Sequence, residues 1–115
     1  MTLQLNTYQK RARELSKVTG SNTPHFWAIW ALGLAGESGE VADHFKKALR
    51  DDNSVITPAR RAAIADELGD VLWYVGRLAS AAGYTLEEIA VLNIDKLQNI
   101  RRQKNIPEEL TNDQE

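Results

Sequence analysis

The sequence contains no cysteine, which removes disulfides, thiolate metal sites and cysteine nucleophiles together. Histidine is almost as scarce, and His25 and His44 alone do not make a histidine-rich metal centre. Neither sign of charge prevails. The formal net charge of -2 gives no global field that would draw in nucleic acid or an anionic membrane, so an anionic ligand must be held locally. No apolar run approaches the ~18 residues needed to span a bilayer, and the N-terminus lacks the basic-then-apolar pattern of a secretion signal. The expected location is the cytoplasm. Internal repeats and alternating strand patterns are missing as well.

What is present is helical periodicity in 115 residues, a length that suits one compact domain with its own core. Leu5, Tyr8, Ala12 and Leu15 have amphipathic spacing within residues 3–18, with Asn6 or Thr7 as candidate caps. A turn-rich connector, Thr19 to Thr23, leads to Pro24, a cap residue followed by proline at the first helical position. The second helix should run from there to about Arg50. Its first half, from Phe26 to Leu34, is apolar on nearly every side, more than one neighbour can cover, and this predicts an oligomer. Gly33, Gly36 and Gly39 lie inside that helix although each costs about 1 kcal/mol relative to alanine, so a close neighbour is expected to need the room. Thr57-Pro58 opens a third helix that Gly83 ends near Ala82. Thr85-Leu-Glu-Glu88 is a capping box opening a fourth, which fades after Arg102. The reading is all-α, a four-helix-bundle-like single domain over 1–104 that oligomerises, with an acidic loose tail over 105–115.

Two pairs of acids carry the chemistry. Glu37 and Glu40 lie three apart on the second helix, Glu67 and Asp70 three apart on the third, so each pair points in one direction. Short-looped consecutive helices are antiparallel neighbours, which lets the pairs face each other across one groove. Glu37 interrupts the stripe Trp30, Leu34, Val41, and Glu67 interrupts Ile64, Val71, Tyr74. Carboxylates among such neighbours need pairing or a cation. Oxygen-only ligation selects hard cations, Mg2+ first and Mn2+ as its substitute. A ferritin-like di-iron site would need a glutamate followed three residues later by histidine; Glu40 to His44 is a spacing of four, and position 70 is aspartate. His44 is therefore read as an ordinary, partly exposed polar residue. Lys96 and Arg101 near the end of the fourth helix, and Lys47 near the end of the second, are candidate phosphate partners as well as ordinary dipole-complementing charges. Trp30 and Tyr74 are core residues or, close to the acids, stacking partners for a nucleobase.

The segments Leu34-Ala-Gly-Glu37-Ser-Gly-Glu40-Val-Ala, Asp66-Glu67-Leu-Gly-Asp70-Val-Leu and Asn93-Ile-Asp-Lys96-Leu together resemble the MazG-like nucleotide pyrophosphohydrolases, of the all-α NTP pyrophosphatase superfamily that includes dCTP pyrophosphatases and dimeric dUTPases. The likeness spans about residues 26–102. It implies a helical homodimer or homotetramer that binds magnesium and cleaves a nucleoside triphosphate substrate to monophosphate and pyrophosphate, removing surplus or non-canonical nucleotides. By that likeness Glu37, Glu40, Glu67 and Asp70 take the catalytic and metal-ligand positions, and Asn93 and Lys96 the nucleotide-contacting ones. Two departures stand out: Gly36 replaces a further acid found in many relatives, and Arg101 falls one place late. The alternative is a non-enzymatic helical interaction module with an acidic docking face, which millimolar magnesium would hardly stabilise.

Overall fold

The structure is a computed structural model and describes residues 1–16 and 23–104. The connector at 17–22 and the acidic tail at 105–115 lie outside the described residues. Four helices follow one another: α1 (Leu5–Glu14), α2 (Pro24–Asp51), α3 (Pro58–Ala82) and α4 (Leu86–Gln103), with no strand among the described residues.

The long helices α2 and α3 form the central pair. Their connection begins where Asp52 caps α2, and the chain turns through Asn53 and Ser54, whose φ values of 53° and 63° place both in the left-handed region. Two backbone hydrogen bonds close this turn, Ser54 N–H to the Ala48 carbonyl at 3.0 Å and Val55 N–H to the Asp52 carbonyl at 3.0 Å. Thr57 then caps α3, its hydroxyl accepting from the Arg60 N–H at 3.1 Å. Along the seam Trp30 meets Trp73 edge-on, with centroids 5.8 Å apart, and Ala48 is buried. Gly33 is the glycine that a neighbour requires: a Cβ there would overlap the Tyr74 ring. Gly36 and Gly39 are different. Nothing lies within 4 Å of a Cβ at either, so no close contact in this chain accounts for them.

The short helix α1 crosses the far end of α3 and acts as a clasp. Its expected caps do not cap it: Gln4 holds the N-cap position without a side-chain hydrogen bond. Asn6 instead reaches α4, accepting from the Glu87 N–H at 3.1 Å and donating to the Glu87 carboxylate at 3.2 Å. Gln9, buried, accepts from the Leu86 N–H at 2.8 Å and donates to the Tyr84 carbonyl and the Ser80 hydroxyl at 2.9 and 3.0 Å. Free N–H groups of a helix start are thereby satisfied from another helix. Gly83, at φ 84°, ends α3 as its position predicts, and the Thr85–Glu88 capping box opens α4.

The four helices do not close into a bundle within one chain. α4 approaches α1 and α3 but not α2. Leu86 is buried, yet every residue from Ala90 to Ile100 is exposed, including Leu92 at 56% and Leu97 at 50%. The outer face of α2 is similarly bare, with Leu32 at 73%. Large apolar side chains on α2 and α4 are thus left exposed.

Candidate metal centre

The acids meet where α2 and α3 lie side by side. One carboxylate oxygen from each of Glu37, Glu67 and Asp70 falls within 4.8 Å of the others, with Glu37 and Glu67 half-buried and Asp70 exposed. Glu40 stands outside this trio and is exposed. The gathered negative charge favours the protonated form of Glu37. Partial burial, then the charges of Asp70 and Glu67, a hydrogen bond shared with Glu67 and the charge of Glu40 raise the Glu37 carboxyl above its ordinary 4.5. Tyr8, which sequence periodicity assigns only to the apolar stripe of α1, also senses the site: burial first, then Asp70, raise its phenol above 10.0.

Polar groups flank the trio on one side. His44 Nε2 approaches Glu67 Oε1 at 3.6 Å, and its Nδ1 faces Arg60 Nη1 at 3.2 Å. Arg60 is anchored in turn on Asp52, Nε to Oδ2 at 3.0 Å. Sequence reading leaves His44 as an ordinary polar residue, because its partners come from the neighbouring helix and no spacing within α2 reveals them.

On the other side stand the aromatics. Trp30 is buried, with the Arg77 guanidinium 4.5 Å over its ring and the Trp73 and Tyr74 rings against it. Burial leaves Trp30 no open face for a base, whereas Tyr74 is half-buried. Nε and Nη1 of Arg77 are buried and meet no acceptor. Burial and then the charge of Arg13 lower its pKa from the ordinary guanidinium value.

The candidate phosphate partners are dispersed. Lys47 pairs with Asp43 at 2.9 Å, and with Lys46 it holds that carboxylate down at about 2. Asn93 and Lys96 sit on the bare stretch of α4, and Arg101, half-buried, lies one turn further on. Since α4 does not approach α2, one chain does not assemble these groups around Glu37.

Residues 29–107 match the family described as the MazG nucleotide pyrophosphohydrolase domain. The chain belongs to this family. A relative from Mycobacterium phage L5, the Gene 37 protein, is 46% identical over 68 residues, which are 59% of this chain and 60% of that protein. The match thus spans about three fifths of the relative's length, and its name states no activity. No solved structure matches the chain. The helical fold agrees with that membership, and the acid trio lies within the matched segment. No helix among the described residues is long and apolar enough to cross a membrane.

Proposed function

We propose that this MazG-family chain is a magnesium-dependent nucleoside triphosphate pyrophosphohydrolase that converts (d)NTP and water into (d)NMP and pyrophosphate, acting in the cytoplasm on surplus or non-canonical nucleotides. The convergence of Glu37, Glu67 and Asp70 within 4.8 Å carries this reading. The residues fit a hard cation on two counts. All three donors are oxygens, and the like charge that raises Glu37 is what a divalent ion would cancel. Mg2+, or Mn2+ in its place, would supply charge neutralisation on the phosphates and a more acidic water.

The remaining steps belong to side chains. Glu40, beside the trio but outside it, keeps a carboxylate available to accept the proton of the attacking water. Lys96 offsets charge gathering on the departing pyrophosphate, and Asn93 donates to the nucleotide. Arg101 extends that cationic surface, while Lys47 joins only after leaving Asp43. Tyr74, with more open surface than Trp30, offers the aromatic wall for the base.

A homo-oligomer follows from the same assignments. The exposed apolar face of α4 and the outer face of α2 require cover, and α4 of a second copy lying on the α2–α3 pair would bring Asn93 and Lys96 to the acids.

Hydrolysis of a panel of canonical and modified (d)NTPs in oxygen-18 water tests the reaction. Attack at the α-phosphorus places the label on the monophosphate and leaves pyrophosphate unlabelled. Label in free phosphate, with diphosphate as co-product, would overturn the assignment.

A further inference from the structure

His44 sits between a permanent cation and a carboxylate of the acid trio, and that placement decides where its proton is. The Arg60 guanidinium has only N–H donors and stays charged at any ordinary pH. Facing it at 3.2 Å, His44 Nδ1 must present its lone pair. The ring proton is then on Nε2, the nitrogen that faces Glu67 Oε1 at 3.6 Å, an electrostatic contact just beyond hydrogen-bond length. Arg60 is not free to turn away. Its Nε is bonded to Asp52 at 3.0 Å and its backbone N–H to the Thr57 hydroxyl at 3.1 Å, so the α2–α3 turn fixes the guanidinium. The four side chains are between 16% and 22% exposed, which limits competition from water along the row.

With Oε1 faced by an N–H donor, rotation of the Glu67 carboxylate about its last bond is restricted. Glu67 is also the acid that shares a hydrogen bond with Glu37, so its orientation governs how closely the trio's oxygens converge. Partners of this kind, one bond removed from a ligand, commonly change metal affinity by about 10- to 100-fold.

We propose that His44 is a positioning residue: Arg60, anchored on Asp52, fixes the Nε2–H tautomer of His44, and that N–H holds Glu67 in the orientation in which it joins Glu37 and Asp70 around a divalent cation. The inference rests on the reading of the trio as a metal site, and it extends the site to the α2–α3 turn. Glutamine at position 44 can accept from Arg60 and donate to Glu67 at once, whereas leucine fills similar space and does neither.

Two measurements on the full chain test this. Binding of Mn2+, followed by the electron paramagnetic resonance of the free ion, should weaken about tenfold or more in His44→Leu, fall comparably in Arg60→Met, and stay within about threefold of wild type in His44→Gln. Circular dichroism confirms that each variant is folded. Long-range 1H–15N correlation spectra of the metal-free wild type should show the Nε2–H tautomer for His44, a pattern altered in Arg60→Met. Folded His44→Leu that binds Mn2+ as wild type does, or an Nδ1–H pattern in the wild type, overturns the role of His44 and leaves the metal site standing. Wild-type protein that fails to bind Mn2+ overturns both.

Discussion

The α2–α3 pair and helix α4 are built from similar amphipathic sequence and end in opposite conditions. Along the pair, side chains find partners in the same chain: Trp30 with Trp73, Gly33 under Tyr74, His44 beside Glu67, Arg60 on Asp52. α4 is fastened at its first turn by its capping box and by Asn6 and Gln9, and then runs bare from Ala90 to Ile100. A short loop makes α2 and α3 neighbours, so their apolar stripes meet without help. The apolar stripe of α4 has no such neighbour. Local patterning sets which face a helix presents, and topology decides whether the chain itself can cover it.

Neutralising one of the acids on the α2–α3 pair should have the largest effect. Asp70→Asn or Glu67→Gln is expected to lower kcat/KM by about a hundredfold or more, ~2.7 kcal/mol of transition-state stabilisation. Thermal stability should hold or rise, since one charge leaves a crowded group. Steady-state kinetics beside circular dichroism melts make the check. A variant retaining more than a tenth of wild-type activity would remove that residue from the set of metal ligands.

The second test strikes the other half. Leu92→Glu with Leu97→Glu places two charges on the bare face of α4, where one copy has nothing to lose. Light scattering should give the 12.9 kDa mass of a single chain where the wild type gives a multiple. Under the proposed assembly, activity should fall at least tenfold with it, because Asn93 and Lys96 would leave the acids. If the mass does not change, the face serves some other contact and the contrast between α4 and the pair loses its explanation.

What the sequence discloses follows the same division. Thr57, Gly83 and the Thr85–Glu88 box act within three or four residues of themselves, and their helix ends are where local pattern places them. The acid pairs were legible because i, i+3 spacing fixes a shared face, although only three of the four acids fall in the tight group. Local pattern offers Asn6 as a cap of α1 and says nothing of Gln9, yet both bond to the start of α4. Their partners lie 71 to 81 positions away, at separations no local rule reaches. His44 escaped for the same reason, since Arg60 and Glu67 come from α3. Gly36 and Gly39 predicted a close neighbour, and open space stands there instead.

Those glycines give a smaller and sharper test of the pair. At Gly33 an added methyl must displace the Tyr74 ring, an overpacking that typically costs about 1–3 kcal/mol. At Gly36 the same methyl meets nothing, and helix propensity alone should stabilise by up to ~1 kcal/mol. Denaturant unfolding of Gly33→Ala and Gly36→Ala should therefore move in opposite directions. Destabilisation by Gly36→Ala would mean that the space is filled in the assembled protein, which would place a second copy against α2 at the acids.

The smallest effect concerns the charge of the site without metal. Glu37 has a folded-state pKa above its ordinary 4.5, set by partial burial and then by Asp70 and Glu67. A raised carboxyl favours the fold most when protonated, so its contribution is fully present below 4.5 and is lost as pH rises through the folded value. In chelator, the melting temperature of wild type relative to Glu37→Gln should thus be higher near the acid end of that window than at neutral pH. Subtracting the variant removes the other titrating groups, among them Asp43, whose lowered pKa near 2 has the opposite sign and acts only at more acidic pH. Magnesium should reverse the slope, because a cation favours the ionised form of the same carboxyl. A wild-type minus variant difference that is flat with pH in chelator would show that Glu37 does not feel its neighbours. The acids would then be three solvated charges that happen to share a face, and α2–α3 would be no more than a packed pair of helices.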